Sequence, residues 1–232
     1  MEGTRSASGE HSAPAERLRP PETRPNSMYF SPPSPIRKIA EADFPSRFGR
    51  FRIYGFESGP EGQVEEAVVL KMGEVSSGPP PLVRIHSQCL TGDVFHSLRC
   101  DCRAQLELAL AQIAEERRGL LIYEHKEGRG IGLLNKLRAY ELQDHGADTV
   151  EANEKLGFEA DLRNYELPGR ILEYFGVRRV RLMSNNPDKI QAVERAGIEV
   201  VERVPCLVPV LATAEEYLRT KKEKMGHLLE GF

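Results

Sequence analysis

Apolar and polar residues follow two different periods from Phe44 onward, and the two periods alternate along the chain. Short runs that alternate or are continuously apolar, bounded by glycine and proline, predict strands. The strands predicted in this way cover residues 50–54, 65–71, 82–85, 120–123, 180–183 and 198–201. Apolar residues spaced three and four apart predict helices over residues 102–118, 133–145, 187–196 and 214–229. Strands that alternate with helices indicate the α/β class.

The first 44 residues lack this patterning. They hold seven of the sixteen prolines and almost no apolar periodicity, so they would bury too little surface to offset the entropy of ordering. We expect a disordered tail over residues 1–44 and one folded domain over residues 45–232. Four glutamates within the first 22 residues disfavour an organellar targeting segment. Met28 is an alternative start to Met1.

The composition disfavours several classes of protein for this chain. Lys and Arg total 32 against 35 Asp and Glu, a net charge of −3, which does not favour a nucleic-acid partner. No apolar run approaches the roughly 20 residues that a membrane-spanning helix needs, so we expect no membrane partner. Three of the four cysteines fall within fourteen residues, unlike the spread of a disulfide scaffold. We therefore expect a cytoplasmic protein with a metal-binding or catalytic cysteine cluster.

Cys89, Cys100 and Cys102 have the spacing C-x10-C-x-C. Three thiolates suit Zn²⁺ and leave one coordination position for water, which is typical of catalytic zinc. Two alternatives stay open: a closed structural site completed by Cys206 or a histidine, and free buried thiols. The histidine and paired-cysteine pattern of the zinc deaminases is missing.

A glycine-rich turn, Glu127-Gly128-Arg129-Gly130, follows one predicted strand and precedes a helix. Backbone N–H groups at such a place can bind an anionic ligand. The turn matches neither the dinucleotide-binding fingerprint nor a P-loop, and an ordinary solvated turn is an alternative interpretation.

Stretches that run through most of the chain jointly point to one family. They are Arg84–Asp93, Leu98–Cys102, Glu127–Tyr140, Asp148–Asn153, Leu156–Phe158, Asp161–Arg163, Asn185–Pro187 and Thr220–His227. In this order they resemble GTP cyclohydrolase II, the zinc enzyme at the entry to riboflavin biosynthesis. The resemblance covers about residues 46–230.

The resemblance implies a fold, an activity and partners. The fold is an α/β arrangement of mixed, barrel-like sheet flanked by helices. The activity is hydrolysis of GTP at imidazole C8 with release of formate and pyrophosphate, giving 2,5-diamino-6-(5-phospho-ribosylamino)pyrimidin-4(3H)-one. The implied cofactors are one Zn²⁺ per subunit and Mg²⁺ with the triphosphate. A homodimer is implied as well, and the short tail favours a monofunctional form.

The resemblance also assigns roles to residues. Cys89, Cys100 and Cys102 match the zinc ligands. The positions that match contacts to GTP are Arg84, Ile85, His86, Ser87, Gln88, Gln105, Glu127, Gly128, Arg129, Thr149, Ser184 and Lys189. Three further positions match catalytic residues: Arg163 as nucleophile toward the α-phosphorus, Asp161 as proton acceptor and Tyr140 near the purine ring. Judged by its chemistry alone, Arg163 is a phosphate clamp oriented by Asp161, because guanidinium stays protonated.

Some positions depart from the family pattern. Gln88, His96, Arg103, Lys126 and Ser184 replace residues usual in the family. Changes near a metal ligand can alter its bound water. Two alternatives to the full reaction therefore stay open: a paralogue that stops at a formamidopyrimidine nucleotide, and a GTP- or zinc-binding module without turnover.

Overall fold

The structure is a computed structural model that describes residues 35–59, 64–146, 148–159, 161–209 and 214–229. Most of the predicted tail, residues 1–34, lies outside the described part. Within these ranges the chain forms seven strands: β1 (Ile36–Ser46), β2 (Gly49–Ser58), β3 (Glu65–Met72), β4 (Leu82–Ser87), β5 (Gly119–Glu124), β6 (Arg179–Met183) and β7 (Glu199–Val204). Every strand predicted from the sequence has a counterpart.

The seven strands form one mixed sheet in the order β1-β2-β3-β5-β4-β6-β7. The neighbours from β1 to β5 pair antiparallel, and those from β5 to β7 pair parallel. Helices connect the parallel strands, as parallel pairing requires. The predicted α/β class, with a mixed sheet flanked by helices, is confirmed, and in the described residues it takes the form of a single sheet.

In the part of the chain that the structure describes, seven α-helices and one short 3₁₀ turn accompany the sheet. The helices are α1 (Leu90–Asp93), α2 (Cys102–Glu116), α3 (Leu133–Asp144), α4 (Thr149–Lys155), α5 (Glu166–Tyr174), α6 (Pro187–Arg195) and α7 (Glu215–Met225), and the 3₁₀ turn is Glu127–Gly130. Asn186 caps α6 by accepting a hydrogen bond from the Asp188 backbone N–H, with Pro187 in the first turn as expected. Helices α1, α4 and α5 were not predicted.

Apolar side chains of the central strands alternate between two cores. On one face, Leu120 and Ile122 of β5 pack with residues of α5 and α6. On the other face, Leu121 packs with Ala109 and Ile113 of α2. The sheet is therefore covered on both sides, which fits its continuously apolar central strands. Among the described residues, no helix has the length and apolar character to span a bilayer.

Three predicted boundaries are wrong. Residues 36–44 were assigned to the tail, but they belong to β1, which pairs with β2 at the sheet edge. Strand β1 is mostly exposed, so its sequence carries no core-facing alternation. Helix α2 ends at Glu116, because Arg117 adopts a left-handed conformation with φ of 53°. Helix α7 ends at Met225 rather than Leu229, because Gly226 is left-handed with φ of 63°.

Candidate active site

Strands β4, β5 and β6 run parallel, so their carboxyl ends meet at one edge of the sheet. The loops that leave this edge begin after Ser87, Glu124 and Met183, and each contains predicted site residues. A cavity of about 480 Å³ lies there, a size typical of small-molecule sites. Ligands of open α/β sheets bind at this kind of edge.

The three clustered cysteines come together beside the cavity. Cys89 directly precedes α1, and Cys102 is the first residue of α2. Their three Sγ atoms lie within 4.8 Å of one another, and those of Cys89 and Cys100 are 3.7 Å apart. Tetrahedral zinc with bonds of about 2.3 Å would separate two sulfurs by about 3.8 Å. The spacing therefore fits zinc.

Space and ligand number support the same interpretation. A Cβ atom added to Gly92 would lie 2.8 Å from Cys100 Sγ and 3.1 Å from Cys89 Sγ, so glycine leaves room for the thiols. Among the described residues, the group with metal-ligand spacing contains these three cysteines alone. Cys206 is a buried free thiol that points to the Gln105 carbonyl instead. A fourth position is thus left to a non-protein ligand.

A lysine that the sequence reasoning missed contacts the first cysteine. Lys136 Nζ lies 3.1 Å from Cys89 Sγ and donates a 2.7 Å hydrogen bond to Glu127 Oε1. Glu127 Oε2 in turn accepts a 2.6 Å hydrogen bond from the Leu90 backbone N–H. Hydrogen bonds from the neighbouring thiols and the charge of Lys136 lower the pKa of Cys89. The glycine turn is therefore tied to the cysteine loop.

A buried carboxylate holds the same loop from the other side. Asp93 accepts hydrogen bonds from the Cys89 backbone N–H at 3.0 Å and from the Tyr123 hydroxyl at 2.8 Å. His86 Nε2 lies 3.1 Å from Asp93 Oδ1, and its ring stacks on Tyr123. Burial lowers the pKa of His86 and favours its neutral form. Because neutral His86 then donates to Asp93, the network fixes the backbone at Cys89.

Buried cations also line the cavity, and together they form its cationic wall. Arg84, Arg129 and Lys189 are at least nine-tenths buried, and none of them has an ion-pair partner within the described ranges. Arg84 donates to the Gln105 side chain and Lys189 to the Ile85 carbonyl, while Arg84 Nε and Arg129 Nη2 have no hydrogen-bond partner. Buried cations without counter-charge are costly, so this wall is built for an anionic ligand.

Asp161 and Arg163 form a two-pronged ion pair. Arg163 Nε lies 2.8 Å from Asp161 Oδ1, and Nη2 also donates to the second oxygen. Burial lowers the pKa of Arg163, but the bond to Asp161 and nearby tyrosines raise it more, and the net shift is upward. The Arg163 side chain lines the cavity, and the ion pair with Asp161 fixes the orientation of its guanidinium.

The structure gathers most of the predicted site into this cavity. The predicted residues that line it are Arg84, His86, Ser87, Gln88, Cys89, Cys100, Cys102, Gln105, Glu127, Gly128, Arg129, Tyr140, Arg163, Ser184 and Lys189. Ile85 is a core residue that contributes its carbonyl to Lys189. Thr149 begins α4, and its side chain lies outside the described part. The Tyr140 hydroxyl lies 3.2 Å from Thr91 Oγ1, at the cysteine end.

The departures from the family pattern have structural explanations in three cases. Arg103 donates to the Asp93 carbonyl and to Glu107, so it braces the cysteine loop from outside. Lys126 pairs with the buried Glu124. Ser184 closes its turn through hydrogen bonds with the Asn186 backbone. His96 is exposed and left-handed, with φ of 56°.

The C-terminal segment contributes residues that the sequence reasoning left out. Tyr217, Lys221 and His227 line the cavity. Burial and the charges of nearby cations lower the pKa of His227 to about 2. Residue spacing within the C-terminal sequence does not indicate that these side chains line the cavity, because the helix reaches the site only through tertiary packing.

A three-cysteine metal site joined to a buried cationic wall defines a metal-dependent enzyme of anionic substrates. The family model for GTP cyclohydrolase II matches residues 37–205, and the chain belongs to that family. Its match to a GTP cyclohydrolase-2 of Histophilus somni (strain 2336) is 54% identical and covers 84% of this chain and 90% of the relative.

Two further comparisons extend this result. The GTP cyclohydrolase-2 of Escherichia coli O9:H4 (strain HS) is 53% identical over 84% of this chain and 98% of the relative. The riboflavin biosynthesis protein RibBA of Chlorobium phaeovibrioides (strain DSM 265 / 1930) is 52% identical over 84% of this chain but only 47% of its own length. Both resemblances therefore span the described site.

Proposed function

We propose that the chain hydrolyses GTP at C8 of the guanine ring and releases formate and pyrophosphate. The product is 2,5-diamino-6-(5-phospho-ribosylamino)pyrimidin-4(3H)-one, the first intermediate of riboflavin biosynthesis. The observation that carries the proposal is one cavity lined both by the three-thiol cluster and by buried cations without a counter-charge. Membership of the family makes GTP the expected nucleotide.

Cys89, Cys100 and Cys102 would hold one zinc ion per subunit. When bound, zinc supplies a Lewis acid and a water that ionises near neutral pH, which suits attack on the electron-poor C8. Glu127 and Lys136 keep the cysteine loop in place through their contacts with Leu90 and Cys89. Tyr140 stands beside this loop, where its hydroxyl can orient the purine ring. One water opens the ring, and another releases formate.

The cationic wall would bind the phosphate chain. Arg84, Arg129 and Lys189 offer charge to the phosphate oxygens, and Mg²⁺ would arrive with the triphosphate. Arg163 binds the phosphate chain, because Asp161 holds its guanidinium in one orientation. In this role Arg163 donates hydrogen bonds to the α-phosphate, while one water displaces pyrophosphate. The nucleophile role implied by the family resemblance requires a deprotonated guanidinium, which the upward pKa shift disfavours.

Three further properties belong to the same proposal. The chain acts as a homodimer, works in the cytoplasm and has GTP as its small-molecule partner. Residues 45–232 carry the activity, together with strand β1 from Ile36. These properties follow the family expectation, and each can be checked with the purified protein.

The test is mass spectrometry of the products after zinc-loaded protein meets GTP and Mg²⁺, with formate assayed in parallel. We expect the diaminopyrimidine nucleotide and one formate for each GTP consumed. The variant Cys100→Ser should lose metal and formate release together. Cys206→Ala is the matched control, because this buried thiol lies outside the cluster.

The same experiment separates the alternatives. A formyl-bearing nucleotide without free formate would mean that the reaction stops after ring opening. Unchanged GTP with fully zinc-loaded protein would contradict an enzymatic role and leave a binding module.

A further inference from the structure

Helix α7 and the residues after it close one side of the cavity. Tyr217 and Lys221 come from α7, and His227 follows it. The segment is anchored by a 2.8 Å hydrogen bond from the Leu228 backbone N–H to the Asn185 carbonyl. Asn185 itself belongs to the turn that follows β6. The C-terminal segment is therefore fixed to a loop that already carries predicted substrate contacts.

Lys221 is the charged group that this segment presents to the cavity. Its side chain is 13% exposed, and Nζ lies 4.3 Å from the centre of the Tyr217 ring. The nearest carboxylate oxygen, Asp101 Oδ1, is 3.8 Å away, longer than a hydrogen bond. An ammonium group has three donors, so Lys221 retains capacity for an anionic ligand.

Lys221 shares its surroundings with the other buried cations of the cavity. Burial lowers the pKa of both Lys189 and His227, and the charges of Lys221 and Arg163 lower both further. Two carboxylates offset part of this positive charge: Asp161 pairs with Arg163, and Asp101 Oδ1 lies 3.8 Å from Lys221 Nζ while its Oδ2 accepts a hydrogen bond from Gln105. The cations named here outnumber these two carboxylates, and like charges gathered in a buried site repel one another until a polyanion is bound. A phosphate chain bound beside these cations would relieve this repulsion.

We propose that Lys221 of the C-terminal helix binds the phosphate chain of the substrate and so completes the anion site together with Lys189. The inference rests on the proposed function, because that function supplies a triphosphate as the ligand. It assigns a direct substrate contact to a segment beyond the cysteine loop, the glycine turn and the Asp161–Arg163 pair. The proposal places Lys221 on the phosphates and not on the guanine base, so its loss should affect phosphate binding alone.

The experiment is calorimetric titration of the zinc-loaded protein, with Mg²⁺ present, using three probes. The probes are α,β-methylene-GTP, inorganic triphosphate and guanosine. Lys221→Met should weaken binding of the first two by about 10-fold to 100-fold, the range expected for a hydrogen bond between charged groups. Guanosine should bind as it does to the wild-type protein. Lys221→Arg keeps the charge and should recover most of the lost affinity.

Arg219→Met is the matched control, since it removes a positive charge from an exposed position of the same helix. It should leave all three affinities unchanged. Equal loss of guanosine and triphosphate binding in Lys221→Met would indicate a structural role and overturn the inference, as would unchanged binding of triphosphate. A wild-type protein that binds triphosphate but not the GTP analogue would contradict the proposed function, and triphosphate alone would then still test Lys221.

Discussion

Lys136 Nζ lies 3.1 Å from the Sγ of Cys89, although 46 residues separate the two in the chain. One Zn²⁺ with three thiolates carries one net negative charge. Lys136 supplies one positive charge, so the metal, the thiolates and the lysine together are neutral. The Glu127 carboxylate adds one negative charge, and it accepts hydrogen bonds from both Lys136 and the Leu90 backbone N–H. A partly buried metal centre is stabilised when its charge is compensated nearby.

Replacing Lys136 should therefore weaken metal binding. We expect Lys136→Met to lower zinc affinity by about 10-fold to 100-fold, the usual effect of losing a partner of a metal ligand. Competition with a chromophoric chelator measures this, and cobalt-loaded protein should show shifted thiolate charge-transfer bands. Lys155→Met, at an exposed position on α4, is the control and should bind zinc as the wild type does. Equal zinc affinity of the two variants would contradict the assignment.

The small size of Gly92 should matter for the same site. The backbone there is not left-handed, so Gly92→Ala adds only a methyl group, 2.8 Å from Cys100 Sγ. The thiols must then move apart, and we expect zinc affinity at least about 10-fold lower with the helical content unchanged. Gly55→Ala is the control, because a Cβ there meets nothing within 4 Å. Chelator competition and circular dichroism test both variants.

Asp93 should contribute strongly to stability. Asp93→Ala leaves the Cys89 N–H, the Tyr123 hydroxyl and His86 Nε2 without their buried acceptor. We expect the free energy of unfolding in urea to fall by about 3 kcal/mol or more. Glu199→Gln, in an exposed ion pair with Arg179, should leave it nearly unchanged. Similar unfolding midpoints for the two variants would refute the role of Asp93.

His227 should make stability depend on pH below 6.5. Burial and the charges of Lys221 and Arg163 hold its folded pKa at about 2, against 6.5 in the unfolded chain. The unfolded chain therefore takes up a proton that the folded protein excludes, and stability is lost as pH falls through 6.5. Between pH 7 and pH 5, the wild type should lose up to about 2 kcal/mol more than His227→Gln. Urea unfolding at several pH values measures this, and parallel curves would disprove it.

The sequence predicted those elements whose apolar residues face a core. Strand β5 has a continuous apolar run and β4 has one interrupted by Arg84, and both were found within two residues of their actual bounds. Strand β1 was missed because it lies at the sheet edge with most side chains exposed, so no alternation marks it. The N-terminal limit of the domain was misplaced for the same reason.

Sequence reasoning found the part of the site that is local in sequence. The cysteines are close together along the chain, and spacing alone indicated a metal site. Lys136, Asp93 and Lys221 were missed because each is an ordinary charged residue until folding brings it to the cavity. Periodicity reports which face of a helix is apolar, but it cannot report which distant loop a charged side chain will reach.

The three loops at the carboxyl edge of the sheet differ in how firmly they are joined. The cysteine loop and the glycine turn share the contacts of Glu127 and Lys136, whereas Asn185 of the loop after β6 bonds to the Cys206 backbone and to the Leu228 N–H. In an exchange of segments between relatives, the cysteine loop and the glycine turn should therefore be transferred together, and the loop after β6 together with the C-terminal segment. Because Arg129 lies in the glycine turn, part of the phosphate-binding charge is inherited with the metal site.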